Sequence, residues 1–140
     1  MGTDGIMVDC RVGRLLEIRV TGAASFDHIE VFGRELDLLA QRLPATWVTV
    51  ADVRRATIVS DAIAQRYIQL MLKVNGRVER GAYLLGNQSL FSIQLEVMVL
   101  RARNSARRVF RHREAIGPWL GDSLTPLEQG RLIVFLDEDR

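Results

Sequence analysis

Side chains that carry out catalysis or bind metals are scarce in this sequence. It contains one cysteine, Cys10, and two histidines, His28 and His112, far apart along the chain. One cysteine excludes an internal disulfide and a multi-cysteine metal site, and neither histidine has the spacing of a zinc ligand set. The serine-nucleophile elbow, the phosphate-binding glycine loop and the dinucleotide-binding fingerprint are also missing. We therefore expect no catalytic residues, no metal and no cofactor.

Long apolar runs are absent as well. No stretch approaches the ~18 residues that a membrane span needs, and the first residues have neither the basic region nor the apolar segment of a secretory leader. The 140 residues are 48% apolar and 26% charged, which is typical of one folded globular domain. These features predict a single cytoplasmic domain over residues 1–140, with no transmembrane segment.

The chain also lacks a large excess of positive or negative charge. Nineteen basic and seventeen acidic residues give a formal net charge of +2, too small to attract a polyanion over a long distance. Six arginines lie between residues 101 and 113, where there is no acid, but the interleaved aromatics of a nucleic-acid platform are missing. We expect a solvated, partly ion-paired arginine face; an acidic protein partner is less favoured, and nucleic acid least.

Hydrophobic periodicity defines the first half of the fold. Residues 6–12 and 15–20 alternate apolar and polar side chains around Gly13, as the strands of an antiparallel hairpin do. Residues 47–51 form a nearly continuous apolar and β-branched run, typical of a central strand covered on both faces. We expect Asp52 to end this strand.

Helical spacing of apolar residues separates the later elements. Further short strands are predicted at residues 81–86 and 108–110, which completes the order ββαβαβαβαα. The fold class is therefore α/β, with a mixed sheet of about five strands flanked by helices. The caps expected for the first three helices are Ser25 or Asp27, Ser60 or Asp61, and Ser89.

The third predicted helix, which runs to about Ser105, is apolar around most of its circumference. Leu90, Ile93, Val97 and Leu100 mark one face, and a second set covers most of the remainder. A helix of this kind is buried on more than one side, either in the core or against a ligand or a second copy of the chain. The candidate apolar interface or ligand surface is the second set: Phe91, Leu95, Met98 and Val99.

The sequence of the C-terminal segment predicts a helix in addition to the core elements. Residues 125–128 (TPLE) form a capping box with proline at the first helical position. We expect residues 123–140 to be this helix followed by a frayed acidic tail, outside a core of about residues 6–120.

The segment after the central strand is the candidate polar surface. Ligands and partners meet parallel sheets at the carboxyl ends of strands, and a helix N-terminus favours negative charge. Phosphorylation of Ser60 would strengthen the cap or recruit the nearby arginines; the alternative is a plain cap beside solvated arginines. The residues of this candidate partner or switch surface are Asp52, Arg54, Arg55, Ser60 and Asp61.

Four segments together resemble a known family. Residues 48–54 (VTVADVR) resemble the strand signature of STAS-like domains, and residues 80–85 (RGAYLL) resemble their next strand. Residues 107–111 (RRVFR) and 114–120 (EAIGPWL) resemble the closing segment of SpoIIAA-like bacterial proteins of the STAS/SEC14 type. The resemblance spans about residues 6–120.

This resemblance implies a STAS-like mixed sheet, no enzyme activity and a regulatory role similar to that of anti-sigma factor antagonists. Those proteins carry an Asp-Ser-Ser-Gly entry to the helix after the central strand, whose serine is phosphorylated. Here the segment is Ser60-Asp61-Ala62-Ile63, which puts Asp61 at the phosphorylated position and Ser60 next to it.

Two functions are therefore expected. The first is a non-catalytic regulatory module that binds a bacterial protein partner through the surface after the central strand. The alternative, implied by the SEC14 kinship and favoured by the apolar third helix, is binding or carriage of a lipid or another apolar small molecule. A homodimer through the third helix is a separate expectation.

Overall fold

The computed structural model describes residues 4–87 and 89–138, without the side chain of Ser89. The order ββαβαβαβαα is confirmed, with short 3-10 turns at Asn75–Arg77, Arg113–Ala115 and Gly121–Ser123. The strands are β1 (Gly5–Asp9), β2 (Leu15–Gly22), β3 (Trp47–Ala56), β4 (Val78–Leu85) and β5 (Arg107–Phe110). The helices are α1 (Phe26–Arg42), α2 (Asp61–Val74), α3 (Ser89–Arg101), α4 (Ile116–Leu120) and α5 (Pro126–Asp137).

The five strands lie side by side in the order in which they occur along the chain. β1 pairs antiparallel with β2, as the predicted hairpin requires, and the remaining neighbours pair in parallel. Parallel neighbours need a crossover connection, and α1, α2 and α3 supply the three crossovers. Because right-handed crossovers that progress in one direction put their helices on one side, all three helices share one face of the sheet.

The core consequently has two halves, one on each face of the sheet. On the first face, α1, α2 and α3 bury their predicted apolar stripes against the sheet. On the second face, α4 and α5 cover the sheet, so the helix predicted as an addition completes the core. The buried residues of this second half are Leu15, Val48, Val50, Ala82, Leu84, Ile116, Leu120, Leu124, Leu132, Phe135 and Leu136.

Two expected element ends are wrong. β3 continues through Asp52 to Ala56, because arginines neutralise this acid within the sheet. α3 ends at Arg101 rather than near Ser105, since Arg103 adopts a left-handed backbone with φ 54°. The expected cap by the side chain of Ser89 lies outside the described residues.

Two residues of the acidic end of the chain, Asp137 and Glu138, form ion pairs with arginines. Asp137 lies in the last turn of α5 and pairs with Arg113 at 2.5 Å. Glu138 pairs with Arg19 at 3.1 Å and with Arg131 at 3.4 Å. Asp139 lies outside the described residues.

Glu128 joins the start of α5 to the hairpin. Its carboxylate accepts hydrogen bonds from the backbone N–H groups of Arg14 (2.7 Å) and Thr125 (2.8 Å), the second of which belongs to the predicted capping box. Burial alone would raise the pKa of Glu128, but these hydrogen bonds outweigh it and keep the pKa below its ordinary value. The close approach of the Glu128 carboxylate to the hairpin requires glycine at position 13, where φ is +57° and a Cβ would collide with that carboxylate.

A buried ion pair fixes the middle of α5 on the sheet. Arg131 donates two hydrogen bonds of 2.7 Å to the carboxylate of Glu17, and the Glu17 side chain is only 5% exposed. The pairing raises the pKa of Arg131 above its usual range. Removing one member of such a pair leaves a buried charge without compensation.

We predict that Arg131→Met lowers the free energy of unfolding by about 3 kcal/mol, because Glu17 then stays buried as an unpaired carboxylate. The double variant Glu17→Met/Arg131→Met should lose much less, since neither charge remains. Urea unfolding of the wild type and of both variants measures the three values. Equal losses in the single and double variants would contradict this account of the pair.

Candidate functional site

The residues predicted to form one polar surface after the central strand lie in two separate places. Asp52 and Arg54 share the side of β3 that carries Val48 and Val50, and therefore face α5. Ser60 and Asp61 lie at the start of α2. Arg55, between these groups, is exposed and has a polar or ring contact of its own.

Asp52 is the centre of an ionic cluster that holds the end of α5. It is 6% exposed and pairs with Arg19 at 2.5 Å and with Arg54 at 2.9 Å. The two arginines also donate to the carbonyl oxygens of Phe135 and Leu136 in the last turn of α5. Asp52 and its two arginines therefore hold the C-terminal end of α5 in place.

The start of α2 is accessible and capped by a side chain. Ser60 is the N-cap, and its hydroxyl accepts a hydrogen bond of 3.3 Å from the backbone N–H of Ile63, whereas Asp61 is exposed. The side chain of Gln94 on α3 holds the preceding residue through two hydrogen bonds with the backbone of Val59, at 3.0 and 2.7 Å. Sequence reasoning did not identify Gln94, because the contact joins segments 35 residues apart.

The predicted apolar set on α3 faces the interior. Phe91, Leu95 and Met98 are buried in the core, and Val99 is half-buried against it. The opposite side of the helix is the exposed one, with Leu100 77% and Leu90 63% exposed. We call this outward face the α3 stripe; its members are Leu90, Ile93, Val97 and Leu100.

An apolar cavity of about 70 Å³ lies between the sheet and helices α1, α2 and α3. Phe91, Leu95 and Met98 from the predicted set line it, so three of the four sequence candidates meet at this one place. β3 contributes Ala51, and α2 contributes Met71. The lining residues are mostly aliphatic, aromatic or methionine side chains.

Tyr67 on α2 also lines the cavity and has an unsatisfied hydroxyl. The residue is 9% exposed, and its hydroxyl oxygen is buried without a hydrogen-bond partner among the described residues. Burial raises the pKa of Tyr67 above its usual range, so the phenol is neutral at pH 7. A buried hydroxyl without a hydrogen-bond partner costs stability.

Arg107, at the start of β5, is the charged residue among those that line the cavity. It is 6% exposed and donates hydrogen bonds to the Tyr83 hydroxyl (2.6 Å), the Asn75 side-chain oxygen (3.1 Å) and the Met71 carbonyl oxygen (3.1 Å). All three acceptors are neutral, and no ion pair joins Arg107 to a carboxylate of residues 4–87 or 89–138. A buried charge without a counter-charge is costly.

The expectation of one solvated arginine face is therefore wrong for Arg107. Arg111 is exposed and pairs with Glu96 at 3.1 Å, Arg113 pairs with Asp137, and Arg108 stacks on the Trp119 ring at 3.9 Å from its centroid. Arg107 points inward because successive residues of a strand face opposite sides. The cluster is thus continuous in sequence but not in space.

Cysteine and histidine take local structural roles. The Cys10 thiol donates to the carbonyl oxygen of Gly13 at 3.2 Å, and burial together with the nearby Glu17 and Asp9 carboxylates raises its pKa. His28 completes the capping box of α1 with Ser25. Across the described parts of the chain, no three side chains of histidine, cysteine, aspartate or glutamate are grouped to hold a metal ion.

No helix in the described segments has both the length and the apolar character required to cross a bilayer.

Comparison with known proteins bears on the fold. No protein-family model and no curated protein matches the chain. Among solved structures, it is similar to an uncharacterized protein of the DUF3478 family from Shewanella loihica PV-4, which is described as having a SpoIIAA-like fold. The match covers 86% of this chain and 97% of that chain, with a TM-score of 0.67 and 16% sequence identity. The chain therefore has the SpoIIAA-like fold that its motifs indicate.

We predict that Tyr67→Phe raises the free energy of unfolding of the ligand-free protein by about 1 kcal/mol, because it removes a buried hydroxyl that has no partner. The matched control is Tyr83→Phe, which deletes a hydroxyl that accepts from Arg107 and should lower the value by about 1–3 kcal/mol. Urea unfolding of delipidated protein gives both changes. Destabilisation by Tyr67→Phe would mean that its hydroxyl has a partner after all.

Proposed function

We propose that this chain is a non-catalytic binding module that holds a small apolar molecule between the sheet and helices α1, α2 and α3. The observation that carries the proposal is the apolar cavity lined by Tyr67 and by three of the four α3 residues expected to form a ligand surface. This is the apolar-ligand function that the SEC14 kinship implies. The SpoIIAA-like fold is compatible with it.

The character of the cavity favours an organic guest over water. A volume of about 70 Å³ has room for roughly five water molecules, but a water needs two to four polar partners, and most of this lining is apolar, with Tyr67 and Arg107 as its main polar groups. Apolar cavities stay dry and take up apolar guests instead. Because benzene binds in an apolar cavity of roughly 150 Å³, a six-carbon guest requires this cavity to widen, and the flexible side chains of Met71 and Met98 can move to allow it.

We predict that 1-hexanol binds to the delipidated wild-type protein and that Ala51→Leu weakens this binding at least tenfold. Ala51 is 1% exposed and lines the cavity, so the larger side chain takes the space of the guest. The control Ala62→Leu adds the same atoms at an exposed position of α2 and should leave the affinity unchanged. Isothermal titration calorimetry measures all three affinities.

Absence of 1-hexanol binding to the wild type, at concentrations up to its solubility, would refute the proposed function. Equal binding by Ala51→Leu and the wild type would place the guest outside the cavity. Native mass spectrometry of protein purified without delipidation provides the complementary measurement. It should reveal the mass of any molecule acquired in the cell.

A second candidate function, favoured by the α3 stripe, is a regulatory module that binds a bacterial protein partner. All four stripe residues are at least 42% exposed, and Gln94 connects α3 to the loop that precedes Ser60. An apolar stripe beside an acidic helix start offers a partner both contact area and orientation. Asp61 and the stripe would then form one interaction surface.

We predict that Ile93→Glu and Asp61→Lys each reduce capture of such a partner at least tenfold in pull-downs that use the chain as bait. Ile93→Glu puts a charge on the apolar contact, and Asp61→Lys reverses the charge at the start of α2. Glu35→Lys, an exposed change on α1, is the charge-matched control. Unchanged capture by both test variants would rule out this surface.

The same variants test self-association through the stripe. Sedimentation velocity at high micromolar concentration should give a dimer for the wild type and a monomer for Ile93→Glu. A monomeric wild type would exclude the homodimer expected from the third helix.

A further inference from the structure

We infer that the molecule held in the cavity carries an acidic group, and that Arg107 and the Tyr67 hydroxyl bind this group. The ligand class is a small carboxylic acid with an apolar body. This inference rests on the proposed apolar-ligand function and adds the chemistry of the head group.

Arg107 has the capacity to bind a carboxylate in addition to its present contacts. A guanidinium has five N–H donors, and Arg107 uses three of them, on the Tyr83 hydroxyl, the Asn75 side chain and the Met71 carbonyl oxygen. These contacts fix the orientation of the planar group, and the Met71 carbonyl oxygen in the last turn of α2 offsets only part of its charge. Its remaining two N–H donors have no partner among the described residues, and a planar guanidinium can present two donors to the two oxygens of a carboxylate.

The charge balance of the cavity also favours an anion. No aspartate, glutamate, lysine or histidine is among the described residues that line it, and Arg107 supplies a single positive charge. A neutral apolar guest would leave this charge as costly as it is in the empty protein. A carboxylate would neutralise it within a low-dielectric interior, where such pairing is strong.

Tyr67 supplies a donor suited to the same group. Its hydroxyl is buried and has no partner in the described structure, and a neutral phenol donates a hydrogen bond to a carboxylate oxygen. The chain thus provides one charged and one neutral donor among the lining residues, and an acidic head group satisfies both. The apolar side chains enclose the rest of the guest.

The test compares hexanoate with 1-hexanol, which have the same number of carbon atoms, by isothermal titration calorimetry of the delipidated protein at pH 7.5. We expect hexanoate to bind the wild type about tenfold more tightly, as hydrogen bonds to a charged group imply. Tyr67→Phe should weaken hexanoate several-fold and 1-hexanol less, because the phenol donates a stronger hydrogen bond to a charged oxygen than to a neutral one. Arg107→Gln should abolish the preference for the acid.

The wild-type ratio decides the inference even if Arg107→Gln fails to fold through loss of its contacts with Asn75 and Tyr83. Circular dichroism establishes whether that variant is folded before it is titrated. Binding of 1-hexanol equal to or tighter than that of hexanoate would overturn the acidic head group and leave the apolar-ligand function standing. Failure of both probes to bind would overturn the apolar-ligand function itself.

Discussion

The fold depends on one topological constraint: all three parallel connections place their helices on the same face of the sheet. The other face carries apolar side chains from β2, β3 and β4 and has to be covered by the segment C-terminal to β5. The C-terminal helices do this, and buried ionic contacts of Glu17 and Asp52 with arginines hold α5 in register. Acidic residues therefore occur inside strands where an apolar residue would ordinarily be expected.

This arrangement gives the two faces of the sheet different electrostatics. On the α5 face, each buried strand carboxylate has an arginine partner: Glu17 has Arg131, and Asp52 has Arg19 and Arg54. On the helical face, Arg107 is buried with neutral acceptors alone. Both faces belong to the same sheet, so the absence of a carboxylate partner for Arg107 does not reflect a protein in which buried charges are generally left unpaired. Among the described residues Arg107 is thus buried in the sheet without a carboxylate partner, and this is the observation on which the inference of an acidic guest rests.

Local sequence patterns are sufficient to predict the element order and most caps, because alternation, helical spacing and capping residues act over a few positions. Serine at positions 25 and 60 and the capping box at Thr125 are examples. These local patterns cannot show which residues of a distant segment pack against a strand. Glu17 and Arg131 are 114 residues apart, and nothing near either residue indicates the other. For the same reason, the local pattern predicts that Asp52 ends its strand and lies on the surface. In the structure Asp52 lies inside β3 and is buried.

The candidate site is predictable in part for a related reason. The wide apolar circumference of α3 predicts burial on more than one side, whereas in the structure one face lies in the core and the opposite face is exposed. Periodicity alone cannot tell which face is which. The structure makes that assignment, with Leu95 on the cavity and Ile93 outside. Because the two proposed functions use opposite sides of one helix, substitutions on one side leave the other side intact. Ligand binding and partner binding are therefore experimentally separable, even though Gln94 on the same helix also holds the segment before Ser60.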